Sequence, residues 1–379
     1  MKKLNLLIAG ILLVAGYNLI WSQIPATTAS PKAAGEPVAP LSNYAASISG
    51  QALQSGSWDN ISEGFTRRIG VHDVTPAYLG RCQGMIVTPD GDILMQTSSN
   101  GICISKDQGA TWSVVEDNDI TGRCEHGSAF SIAYPYNGRM AFFCYDGGKW
   151  GTSGGMSLDG GKTWEPFTKL QRGVEFGDVD WSARAPQTIF AITHEPEYSI
   201  ISHDGGRRWR QLDKSETGAH LRYSIGLIDE NKLIRYNAGK DGGIIEFSED
   251  AGKTWTKVAD YQVRARAVVH YGSKVYWTTT KGVITSSNGK DWTLTGDGAE
   301  GANYGPYFGS SDKEFIVVND KYFLKTQDGG RTWKAVANLF KAPDIFHDQA
   351  NYSFFGWDPK RNILYASGLG ASIYKLQLP

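Results

Sequence analysis

One short pattern returns six times along the chain: SKDQGATW (Ser105 to Trp112), SLDGGKTW (Ser157 to Trp164), SHDGGRRW (Ser202 to Trp209), SEDAGKTW (Ser248 to Trp255), SSNGKDW (Ser286 to Trp292) and TQDGGRTW (Thr326 to Trp333). Successive tryptophans of the pattern fall 37 to 52 residues apart. That is the length of one four-stranded propeller blade. Inside each copy the Asp accepts hydrogen bonds from backbone N–H groups of its own tight turn, Gly supplies positive φ, and Trp packs between sheets. The fifth copy carries Asn288 in place of Asp and is one residue short, and the sixth begins with Thr326. Both changes keep a short polar side chain that caps a turn, so those blades are expected to persist.

Each copy follows alternating apolar runs, as in GMIVTP (Gly84 to Pro89), DILMQT (Asp92 to Thr97) and GICIS (Gly101 to Ser105). Such runs read as three strands, with a fourth after the Trp. Blades are predicted near residues 80–117, 125–168, 174–213, 219–260, 263–296 and 303–338. A seventh set without the pattern follows in SFFGWD (Ser353 to Asp358), ILYASG (Ile363 to Gly368) and ASIYKLQL (Ala371 to Leu378), and it lacks a fourth strand. The segment Phe65 to Val71 is assigned to that place, closing the ring and removing open sheet edges. The expected fold is all-β, a seven-bladed propeller of four-stranded antiparallel blades over residues 58–379, with six blades as the alternative if the last segment only caps the ring. Abundant Gly (45) beside 12 Trp, 18 Tyr and 15 Phe agrees with short strands and tight turns.

The pattern S-x-D-x-G-x-x-W resembles the Asp-box, or BNR repeat, of sialidases, xyloglucanases, sortilin-type receptors and photosystem assembly factors. The resemblance covers about residues 80–379. It implies that Asp107, Asp159, Asp204, Asp250, Asn288 and Asp328 are structural turn residues between the third and fourth strands, on the face away from any ligand site. A sialidase site would begin with an Arg-Ile-Pro motif before the first blade. Here Arg68 and Ile69 echo it but Gly70 replaces Pro, and the first blade lacks the Arg and Asp expected after its second strand. Sialidase activity is therefore disfavoured.

Ahead of the blades, Lys2 and Lys3 precede an apolar run from Leu4 to Trp21. Residues 1–21 read as a signal peptide, or as an uncleaved amino-terminal anchor because the run is nearly long enough to span a bilayer. Residues 22–57, rich in Ala, Ser, Pro and Gly, read as a flexible linker. The expected location is secreted or periplasmic, or membrane-anchored through residues 4–21. A net charge of −1 removes the basic footprint needed for nucleic acid, and leaves membrane contact only to that anchor. In an exported protein Cys82, Cys103, Cys124 and Cys144 are disulfide candidates with three pairings open, and the preferred reading is one or two staples in the loops of the first two blades.

A ligand site is expected where the loops leading into each first strand meet the loops between second and third strands. Candidate catalytic residues are His126, Asp178, Asp180, His194, Glu195 and Tyr223. Asp178 and Asp180 in GVEFGDVDW, near Glu175, share one side of an extended strand and form an acid and base pair with Glu195, as glycoside hydrolysis requires. His126 and His194 with a Tyr and an Arg offer the base, phenol acid and carboxylate clamp of a polysaccharide lyase. Candidate substrate-binding residues are Arg81, Arg123, Trp150, Arg222, Tyr236, Arg264, Arg266, Tyr304, Tyr307 and Tyr352. Aromatic planes stack on sugars and Arg clamps carboxylate or sulfate, so the expected partner is an extracellular glycan or polysaccharide. The expected function is action on that polysaccharide as a glycoside hydrolase or a polysaccharide lyase, with a non-catalytic propeller binding a glycan or protein, such as an assembly factor, as the alternative. No cofactor is required by these readings, no residue is assigned to a metal, and a Ca²⁺ or Zn²⁺ ion is left open.

Overall fold

The computed structural model describes residues 56–70, 82–97, 100–115, 120, 132–144, 153–170, 173–182, 188–193, 198–212, 223–239, 242–340, 353–368 and 370–379. These form seven four-stranded antiparallel sheets, a seven-bladed β-propeller. Blade 1 runs Cys82–Val87, Ile93–Thr97, Gly101–Ser105 and Ser113–Val114, and blade 2 runs Ile132–Ala133, Met140–Phe143, Gly154–Ser157 and Glu165–Pro166. Blade 3 runs Val174–Val179, Ile189–Thr193, Ser199–Ser202 and Arg210–Gln211, and blade 4 runs Tyr223–Leu227, Leu233–Asn237, Ile244–Ser248 and Thr256–Ala259. Blade 5 runs Val269–Tyr271, Lys274–Thr279, Gly282–Ser286 and Thr293–Leu294, and blade 6 runs Tyr304–Phe308, Phe315–Val318, Tyr322–Thr326 and Lys334–Asn338. Blade 7 takes Ser353–Asp358, Ile363–Gly368 and Tyr374–Gln377 from the end of the chain and Asp59–Asn60 from its beginning.

The closing strand is therefore Asp59–Asn60, paired with Lys375 and Tyr374, and not Phe65 to Val71. Glu63–Arg68 forms a short helix instead. Glu63 lies in its first turn, Arg67 in its last, and the Arg67 guanidinium reaches the Glu63 carboxylate at 2.6 Å one turn away. That spacing suits a helix and is meaningless in a strand. Closure is reinforced beside the ladder. The Ile61 N–H donates to the Ile373 carbonyl (2.9 Å), the Ile373 N–H donates to the buried Ser62 hydroxyl (2.8 Å), and the Trp112 indole donates to the Ile61 carbonyl (2.8 Å).

All six repeats form the turn between a third and a fourth strand. In the fourth, the Ser248 hydroxyl donates to Asp250 Oδ1 (2.8 Å) and accepts the Gly252 N–H (2.9 Å), while the Thr254 N–H and hydroxyl donate to the two carboxylate oxygens (2.8 and 2.7 Å). In the fifth, Asn288 Oδ1 accepts the Lys290 and Asp291 N–H groups (2.9 Å each), and its amide donates to Asp291 (2.8 Å). The substitution thus keeps the clasp by exchanging donor for acceptor. Thr326 serves in the sixth as Ser does elsewhere. Gly206 has φ +81° and lies against the Phe167 ring of the preceding blade, so a side chain there would meet both strain and a clash. Box tryptophans reach between blades as well: Trp255 lies 6.4 Å from Phe190 of blade 3 and Trp209 stands edge-on to Phe167 of blade 2 at 6.1 Å.

Cys82, Cys103 and Cys144 are buried, Cys82 and Cys103 are free thiols not joined to each other as a staple, and Cys124 lies outside the described residues. The reason is geometric. Cys82 pairs with Thr97 and Cys103 with Met95, so a whole strand separates the two, roughly 9–10 Å at ordinary strand spacing and beyond a disulfide's reach. Burial pushes both thiols up to about 12.

Two outcomes follow from these contacts. Ser62→Ala removes the acceptor of a buried N–H at the closure, and urea unfolding is expected to show a loss of about 1–3 kcal/mol. The Asp250 and Asp328 carboxyls are held down to about 2, the first chiefly by the Thr254 N–H and the second chiefly by the Thr332 hydroxyl. A carboxyl depressed in the folded state stabilises it above the unfolded value near 3.8 and ceases to do so as pH falls towards 2. Thermal melts of the Asp250→Asn, Asp328→Asn double variant should therefore fall less steeply between pH 4 and 2 than those of the native chain.

Candidate functional site

Because strands alternate in direction, the box turns share one face with the turns between first and second strands. The opposite face carries the loops into the first strands and those between second and third strands. Between these faces the seven first strands surround an axis, and its box-side end is sealed. Tyr136, at φ +61° in the first turn of blade 2, donates its hydroxyl to the Pro306 carbonyl in the first strand of blade 6 (3.2 Å). Its ring lies 4.5 Å from Tyr134, 5.5 Å from Phe308 and 6.0 Å from Tyr271. Burial drives the Tyr136 phenol far above its ordinary range, so it stays a neutral donor. A cavity of about 40 Å³ lies there, lined chiefly by first-strand residues of blades 1, 2, 5, 6 and 7 together with Tyr134, Tyr136 and Val268. A water needs roughly 10–15 Å³, so this space holds a few waters and no sugar ring.

Beside the plug, one carboxylate joins three blades. Asp178 of blade 3 is fully buried, and its Oδ2 accepts the Leu227 N–H of blade 4 (2.7 Å). His270 Nε2 of blade 5 lies 3.0 and 2.8 Å from its two oxygens. The Val179 N–H takes Oδ1 as well (2.9 Å). A buried charge with this many donors is satisfied, which is what its burial demands. Blades 4 and 5 are also stitched directly, the Ile225 N–H donating to the Arg266 carbonyl (2.8 Å) and the Val268 N–H to the Ile225 carbonyl (3.2 Å).

These positions separate the carboxylates from the roles expected of them. Asp178 lies near the box-side end of its strand and is committed to His270 and Leu227. Asp180 follows the strand's last residue instead of preceding its first, and caps the next turn by accepting the Ser182 N–H (2.9 Å). Glu175 is buried in the same strand. Tyr304, 1% exposed, packs edge-on to Phe355 at 5.2 Å and belongs to the core, while Tyr307 lines the axial cavity. Tyr223 opens the first strand of blade 4. Arg81, Arg123, His126, Trp150, His194, Glu195, Arg222 and Tyr352 lie outside the described residues. His270 and Tyr136 had no place in the sequence reading, and no local signal marks them. Among the described residues no group of three or more His, Cys, Asp or Glu is placed to hold a metal ion, and no helix is long and apolar enough to cross a membrane.

On the loop face, blades 4 and 5 bring together Tyr236, Arg264, Arg266 and Lys281. Tyr236 lies near the end of a second strand, and Lys281 occupies the turn between the second and third strands of blade 5. The Arg264 N–H donates to the Thr278 carbonyl (2.8 Å), fixing the backbone while its side chain is exposed. Burial raises the Tyr236 phenol, and the Arg264 guanidinium pulls it partly back, so the two side chains are near enough to feel each other. The Arg266 guanidinium lies 5.7 Å from the centre of the Phe176 ring on blade 3. Arg264 and Arg266, with the exposed Lys281 in a turn on the same face and no ion pair to any of the three among the described residues, form a surface suited to an anion.

No protein-family model matches the chain, and no curated protein matches it. Solved structures similar to it include YCF48 from Cyanidioschyzon merolae, at 14% identity over 85% of this chain and 98% of that one (TM-score 0.42). Others are a chain of the mitotic checkpoint complex, at 10% over 92% and 99% (0.49), and the GH74 xyloglucanase from Xanthomonas campestris, at 15% over 78% and 63% (0.36). Likenesses of this degree carry no argument about function.

Asp178→Ala should cost about 3–5 kcal/mol in urea unfolding, because it strands the half-buried His270 imidazole and the Leu227 and Val179 N–H groups. Arg264→Ala, at an exposed side chain, should stay within about 0.5 kcal/mol of the native value in the same measurement.

Proposed function

We propose that this chain is an exported propeller that binds, without cleaving, a carboxylate- or sulfate-bearing extracellular glycan on its loop face. The observation that carries the reading is the pair Arg264 and Arg266, with the exposed Lys281 in a turn on the same face. Guanidinium groups take carboxylate and sulfate through paired N–H donors. The plugged axis supports binding at the face over threading through it. Asp178 and Asp180 are held by internal hydrogen bonds, which leaves neither free as acid or base. The amino-terminal run from Leu4 to Trp21 supports export, with release or membrane anchoring set by whether it is cut.

The enzymatic reading rests on His126, His194 and Glu195, and the same experiment addresses it. Purified protein is titrated with oligogalacturonate, a sulfated oligosaccharide and a neutral oligosaccharide by calorimetry, and the mixtures are then analysed by mass spectrometry. Binding confined to the anionic chains, weakened by salt and by about tenfold or more in the Arg264→Ala, Arg266→Ala double variant, is the expected result. Products one water heavier per cut, or unsaturated products, would replace this reading with a hydrolase or a lyase.

A further inference from the structure

A groove of about 400 Å³ opens on the box-bearing face where the two ends of the ring meet. That volume lies within the range of sites that hold small ligands or short segments of a partner. Its floor is made by Gly64, Gly109 and Ala110, and one flank by the half-buried Trp112, whose indole N–H is already used on Ile61. Arg68 and Lys375 supply its cations. Arg68 is exposed, rests over the Phe65 ring at 5.9 Å and has no acidic partner among the described residues. Lys375 donates to the Gln108 carbonyl (3.2 Å) and not to a carboxylate. The nearby Glu63 is engaged by Arg67, which leaves Asp59 as the acid in the lining. Along the same groove runs Asp59–Asn60, the outermost strand of blade 7, paired on one side only in its sheet.

We infer that this groove binds an acidic peptide segment of a partner protein in extended form. An edge strand offers backbone donors and acceptors to an added strand, which favours a peptide over a sugar as the occupant. Alternate side chains of such a segment point one way, so its carboxylates meet Arg68 and Lys375 while an apolar neighbour lies against Trp112. The groove is on the face opposite Arg264 and Arg266, so the two sites act independently.

Fluorescence anisotropy of the full chain with a labelled peptide of alternating Glu and Val, against its Gln counterpart, tests this. Gly64→Leu sends a side chain into open space, since nothing lies within 4 Å of a Cβ there, and Arg68→Glu reverses the main charge. The Glu peptide should bind, the Gln peptide about tenfold or more weakly, and each variant should lose at least as much while melting as the native chain does. The Arg264→Ala, Arg266→Ala double variant should bind the peptide normally. Equal binding of both peptides, unchanged binding in both groove variants, loss in the loop-face variant instead, or competition by oligogalacturonate would each overturn the proposal.

Discussion

A turn that closes on its own side chains is what allows so many short strands to stack. The fourth strands of blades 1, 2, 3 and 5 are only two residues long, too short to hold register through ladder hydrogen bonds alone. In each case the preceding turn is already fixed by a hydroxyl and a carboxylate or amide that take up its N–H groups. The strand is delivered in place, and the Trp that ends the turn packs between sheets. The energy of the clasp is local. Its effect is not, because the second Gly of the turn and the Trp both touch the neighbouring blade.

The axis shows a different division of labour. Buried polar groups occupy the box-side end and satisfy one another: Asp178 with His270 and Leu227, Tyr136 with Pro306. Each of these bonds joins blades that are not adjacent or ties the inner strands of neighbours, so the plug holds the blades at fixed angles to one another. Charged groups without an ion-pair partner among the described residues, Arg264, Arg266 and Lys281, occupy the other end. A rigid base under an exposed cationic rim is a suitable platform for recognition, since little order has to be gained on binding.

The blades were legible in the sequence because the repeat is local and dense. Every blade predicted from the six boxes and from the closing run of Ser353 to Leu378 is present, at nearly the expected boundaries. FTRRIGV has the alternation of a strand, whereas the deciding signals, Asn60 and Ser62 before Glu63 with Arg67 one turn on, are those of a helix start. Asp180 lies at the box side and not the loop side because the residues before it, Val174–Val179, are themselves the strand. The pair of Asp178 and His270 is separated by 92 residues, and no periodicity connects them. Tyr236, Arg264 and Arg266 were nominated from their places in the repeat, and the fold brings them to one region.

The shared seventh sheet also sets a schedule for folding. Asp59 and Asn60 are synthesised early, but Lys375 and Tyr374, their partners, arrive among the last residues of the chain. Six blades can form in turn while the ring is still open, with the inner strand of blade 1 lacking its neighbour in blade 7. During that interval Met85 and Val87, which pack against Gly356, have nothing to cover them. An unclosed propeller with such an apolar flank is the species most prone to pair with another of its kind. The time between making residue 87 and residue 375 is therefore the window in which this protein depends on dilution or on chaperones.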